Sequence, residues 1–93
     1  MPEIWKEWGY SIFFWSNENG EPIHFHVSKG KKSENSPKFW LYSNGDIVPD
    51  KDYTKRLKAN DLKRITGLAK NYQFKNTLIN EWVNRFGYVS FKE

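Results

Sequence analysis

The sequence has no cysteine and one methionine. Without cysteine there is no disulfide framework, no thiol nucleophile and no cysteine-based zinc knuckle. Long apolar runs are missing as well. The run Ile12 to Trp15 in "MPEIWKEWGYSIFFW" is too short for a signal-peptide core or a membrane span, and the segment starts acidic. A cytoplasmic protein with no membrane contact is expected. Also absent are a P-loop, the glycine pattern of a dinucleotide fold, a His-Glu-x-x-His helix and a Ser/His/Asp ordering. No repeat, low-complexity tract or linker divides the 93 residues, which read as one domain, 1–93. No cofactor is implied.

What the chain does have is aromatic mass: five Trp, five Tyr and seven Phe. Each such ring buries roughly 150–250 Å², so a few of them replace many aliphatics in a core of this size. Charge is unevenly spread. Residues 51–75 hold eight basic side chains against Asp52 and Asp61, while residues 1–50 hold five basic and seven acidic ones. A basic half beside a mildly acidic one fits a surface facing a polyanion, and it fits a lysine-rich helix face in water equally well.

The first half of the chain has the period of strands. "WGYSIFFWS" (8–16) is aromatic and β-branched, and the Asn19-Gly20 pair after it supplies a turn. "IHFHVS" alternates, with Ile23, Phe25 and Val27 on one face and His24, His26 and Ser28 on the other. After the charged loop "KGKKSENSP", "KFWLYS" is a third strand. Asn44-Gly45 turns into a short "DIV" segment closed by Pro49. The second half changes to helical period. Leu62, Ile65, Ala69 and Tyr72 share one helix face, with a start near Asn60, a weakening Gly67 and a stop at Asn71. Leu78, Ile79, Trp82, Val83 and Phe86 stripe a second helix ended by Gly87. The fold class is α+β: an antiparallel sheet of three or four strands over about 8–49, then two helices over about 59–86 packed on one face.

Helices on one face leave the other uncovered, yet both faces carry rings: Phe39 and Leu41 alternate with Trp40 and Tyr42, and Phe13 and Trp15 with Ile12 and Phe14. Either "MPEIW" folds across the second face or a partner does.

Both histidines, in "EPIHFHVS", fall on that face. At i and i+2 of a strand they lie roughly 7 Å apart and can converge on one small group. Three uses fit. A metal would need further donors, for which Glu18, Asp46 and Asp50 are nearest in sequence. A general acid–base pair acting on RNA would need a cation such as Lys29 or Lys38. Recognition would use the imidazoles beside Trp40 and Tyr42 to stack bases or grip a partner. The fourth reading is two water-facing residues on a half-buried strand. His-x-His-x-Ser also matches half of the paired His-x-Thr/Ser signature of phosphoesterases, but only one copy is present.

Taken in order, Gly9, an aromatic strand, Ser16-Asn17-Glu18, Pro22-x-His24-x-His26-Val27, Gly30, Lys38-Phe39-Trp40 and a helix with Trp82 resemble the small bacterial family called domain of unknown function 4160. The resemblance runs over about 9–87. Here the loop before "KFWL" is longer than that family's usual one, and the helix starting "KAND" lacks its frequent Ser-Pro. The resemblance implies no assigned activity. It implies a small protein partner encoded nearby, since many members sit beside such a gene and some are grouped with toxin–antitoxin components on that ground.

The expected function is therefore a small binding module of toxin–antitoxin type. Its binding face would be His24, His26, Trp40 and Tyr42, with nucleic-acid contact through Lys55, Arg56, Lys63 and Arg64. Self-association is left open. The alternatives are an RNA-cleaving toxin, with His24 and His26 as acid and base and Lys38 on the anion, or a metal-binding protein.

Overall fold

A computed structural model describes residues 3–16, 20–30, 36–52 and 57–93. Asn19 of the expected turn, Glu18 among the metal candidates, and Lys31, Lys32, Lys55 and Arg56 lie outside the described residues. Five antiparallel strands form one meander: β1 Glu3–Glu7, β2 Tyr10–Phe13, β3 His24–Ser28, β4 Lys38–Leu41 and β5 Ile47–Pro49, neighbours in that order. Helix α1 (Ala59–Thr66), a 3-10 turn (Gly67–Lys70) and helix α2 (Tyr72–Phe86) complete the α+β fold.

The sheet has one strand more than the three or four expected, and the extra one is the start of the chain. Trp8 and Gly9 both take positive φ (52° and 78°), the backbone of a two-residue hairpin turn whose twist matches the strands. Glu7 then pairs with Tyr10 and Trp5 with Ile12, so "EIWKE" becomes an edge strand instead of crossing the second face. The turn was hidden because its first residue is a tryptophan. A bulky residue in that region costs about 1–2 kcal/mol, and the paired strands on either side offset it.

The helical half also breaks differently. Leu62, Ile65 and Ala69 do face the core, but Tyr72 leaves that face, because the α-helix ends at Thr66 and tightens to 3-10 from Gly67. Asn71 is not only a stop: its side-chain oxygen accepts from the Phe74 N–H (3.0 Å) and caps α2. Tyr72 is therefore the first residue of α2 and 76% exposed. Gly87 ends α2 in the left-handed conformation, as its position indicates (φ 83°).

Tyr10, Ile12, Phe25, Val27, Phe39, Leu41 and Ile47 form one sheet face and share a core with Ile65, Leu68, Phe74, Leu78 and Trp82 of the helical half. After α2, residues 88–93 run past the end of the sheet. The Ser90 carbonyl accepts from the Ile23 N–H (2.8 Å) and that of Glu93 from the Ser43 N–H (2.7 Å). Val89 packs on the core, while Lys92 reaches Trp40 on the opposite face.

Helix α1 is tied to the sheet by the Tyr10 hydroxyl, which donates to Asp61 (2.9 Å). Burial, then this bond and the negative charge of Asp61, push the phenol up to about 12. The raised value belongs to the folded state, so the stabilisation is complete below the unfolded value of about 10 and is lost as pH rises through about 12. The stability gap between the native chain and Tyr10→Phe should therefore be constant up to about pH 10 and narrow between about 10 and 12. Urea unfolding across that range measures it; a gap flat to pH 12 would contradict the bond.

Candidate functional site

The second sheet face carries the residues singled out from the sequence. Alternation from the core face places Phe13, His24, His26, Lys38 and Trp40 on it. The ladder sets their neighbours: His24 lies opposite Trp40, and His26 lies between Phe13 on β2 and Lys38 on β4. His24, His26, Lys38 and Trp40 are thus brought together.

They are brought together inside the protein. His24 is fully buried, His26 is 3% exposed, Trp40 7% and Lys38 8%. Neither histidine is a water-facing strand position, and the rings of this face are not left bare. The His24 ring lies edge-on to His26 (5.4 Å between centroids), Trp40 (5.2 Å) and Trp82 (5.1 Å). The contact with Trp82, from the helical layer, follows from the short β2. That strand's pairing ends at Phe13 opposite His26, leaving no β2 partner beside His24 where the indole reaches it. His26 stacks on Phe13 at 5.6 Å, and Phe13 meets Trp15 edge-on at 5.4 Å.

Burial in such company requires hydrogen bonds. The Nδ1 of His24 is 2.9 Å from the Pro22 carbonyl and that of His26 is 3.2 Å from the Ser36 carbonyl. A carbonyl only accepts, so in both rings Nδ1 carries the proton and donates. Lys38 is similarly enclosed. Its ammonium is 2.9 Å from the Glu21 carboxylate and 4.4 Å from the centre of the Trp40 ring. Trp40 in turn donates its Nε1 hydrogen to Asp50 (3.1 Å).

The remaining sequence candidates are placed elsewhere. Asp46 closes the turn with Asn44, whose side-chain amide donates to it (3.1 Å). Asp50 accepts from the Trp40 indole and, through its other oxygen, from the Asp52 N–H (2.9 Å). Among the described residues no three His, Asp or Glu side chains are grouped to hold a metal. Lys63 and Arg64 are exposed on α1, where Arg64 comes within 3.8 Å of Asp61, as Lys29 does at 3.9 Å. Glu21, Phe13, Ser36, Trp82 and Lys92 were not anticipated as members of the site. Trp82 and Lys92 meet it from far along the chain, where no local spacing could have announced them, whereas Glu21 and Ser36 lie within three residues of His24 and Lys38.

The open surface next to this face is a groove of about 400 Å³ at the β4–β5 corner, where Trp40 and Tyr42 meet Val48, Asp50, Asp52 and Lys92. Tyr42 also borders a second cleft, of about 210 Å³, with Leu41, Ile79, Tyr72 and Phe91. Residues 91 and 92 divide the two. Of the expected binding face, then, Tyr42 and the rim of Trp40 border open space, and the histidines stand behind them.

A family model described as Domain of unknown function (DUF4160) matches residues 9–83, from the hairpin glycine through most of α2, and the chain belongs to that family. No curated protein and no solved structure matches it.

The enclosed geometry has a direct consequence. His24→Ala removes the ring contacts with His26, Trp40 and Trp82 and the hydrogen bond to the Pro22 carbonyl, and should lower the unfolding free energy by about 2–4 kcal/mol. A water-facing histidine would cost under about 0.5 kcal/mol. A urea curve indistinguishable from that of the native chain would overturn the enclosure.

Proposed function

Because family membership carries no activity with it, we propose a function from the surface: this chain is a binding module that docks a small protein partner, as a toxin–antitoxin component does. The observation that carries the reading is the cleft beside Tyr42, where Tyr72 is 76% exposed and Phe91 37%. The core of the chain is already complete without these rings. Exposed aromatics grouped around a cleft are the usual anchors of a protein interface, each able to contribute strongly once its pocket is closed by a partner. Trp8 (44%) and Tyr88 (47%) add to the aromatic surface.

The enzyme reading gains no such support. An acid–base pair has to touch its substrate, and the imidazoles of His24 and His26 are walled by Trp40, Trp82 and Phe13. In this reading the histidines are framework that holds β3 and β4 in place behind the binding surface. Nucleic-acid contact is the second part of the proposal. Lys63 and Arg64 on α1, with Lys58 and Lys70, form an exposed basic stretch, and Lys29 lies near it through Asp61.

For the protein partner, the product of the adjacent gene is co-expressed with this chain and the complex is measured by calorimetry. Tyr72→Ser with Phe91→Ser should weaken it at least about tenfold, since two half-open anchors contribute on the order of 1 kcal/mol each. Absence of a complex, or an affinity unmoved by the double substitution, removes the docking reading. For nucleic acid, affinity for a short single-stranded RNA should fall with salt at a log–log slope of about −0.7 per phosphate contacted. Lys63→Ala and Arg64→Ala should each flatten that slope, and a salt-independent affinity removes this part.

A further inference from the structure

Trp40 has ammonium groups from two different parts of the chain against its ring. The Lys38 ammonium, 4.4 Å from the ring centre, is fixed by Glu21 and buried. The Lys92 ammonium, 4.6 Å from the same centre, is exposed and forms no ion pair among the described residues. Beside it the groove carries the Asp50 and Asp52 carboxylates, with Lys51 on its border. Lys92 thus occupies a position built for a cation while using only its aromatic part. A single exposed cation–π contact is weak, and the groove's about 400 Å³ is far more than one ammonium fills.

We propose that this groove is a binding site for an arginine side chain of the protein partner, which displaces Lys92 from Trp40 and pairs with Asp52. The charge balance favours it: with Lys92 swung out, the described lining keeps Asp50 and Asp52 against Lys51, while the Lys38 ammonium behind Trp40 is paired with Glu21. A guanidinium is the better occupant because its planar face stacks on the indole while its edge donates to a carboxylate. Lys92 offers only a point charge over the ring and pairs with no carboxylate among the described residues. The site adjoins the Tyr72–Phe91 cleft through Tyr42, so one partner segment can span both. In that respect the inference rests on the docking proposal.

The test uses the whole chain and a small probe, so it does not depend on the partner. N-acetyl-arginine amide is titrated into labelled protein while the Trp40 indole N–H signal is followed by NMR. The expected result is a saturable shift that the citrulline analogue, isosteric but neutral, does not give. Lys92→Met, which removes the competitor, should tighten binding about threefold, and Asp52→Asn should weaken it about threefold. Asp52 lies outside the strands, so its substitution leaves the sheet intact. No shift with Lys92→Met, or an equal response to citrulline, overturns the proposal. In the partner complex, Asp52→Asn leaving affinity unchanged overturns the arginine site while docking stands. A probe that binds where no complex forms overturns docking and leaves the site.

Discussion

An imidazole taken out of water has to keep a hydrogen bond, and two of them taken out together dictate much of what surrounds them. His24 and His26 send their Nδ1 hydrogens to backbone carbonyls, of Pro22 on the approach to β3 and of Ser36 before β4. Losing such a bond in a closed site costs on the order of 1–3 kcal/mol, a large part of what a domain of this size has in reserve. The loop ends on both sides of the histidine strand are therefore fixed by the same two rings. The two-faced aromatic sheet follows from this. A face with enclosed imidazoles has to be roofed, and Trp15, Glu21, Trp82 and Lys92 reach it from four separate parts of the chain.

Trp40 is where that interior meets the surface. It lies opposite His24 on the ladder, its indole N–H is held by Asp50, and its ring bears one buried and one exposed ammonium. The inner contacts are buried and the outer one is exposed, which is why the proposed binding function is put on the outer rim. The break between the helices has a matching effect. By ending α1 at Thr66 and starting α2 at Tyr72, the chain turns a tyrosine expected in the core out to the cleft with Phe91. One local event, tightening to 3-10 at Gly67, leaves Tyr72 on the surface.

The sequence by itself determined what depends on local period and backbone preference. Alternation in "IHFHVS" and "KFWL" set the two faces of β3 and β4, and Asn44-Gly45 set their neighbour turn, with Gly45 at φ 94°. The stripe of Leu78 and Trp82 and the cap at Gly87 set α2. The gathering of His24, His26, Lys38 and Trp40 on one face was legible for the same reason. What only the tertiary structure decided is anything fixed by residues far apart in the chain. The Trp8–Gly9 turn carries no strong local signal and is held by the β1–β2 pairing it creates. Whether the histidine face met water depended on Trp82, 58 positions after His24. Period assigns a side chain to a face. Burial of that face is set by whatever packs over it, and that partner is chosen by the whole fold.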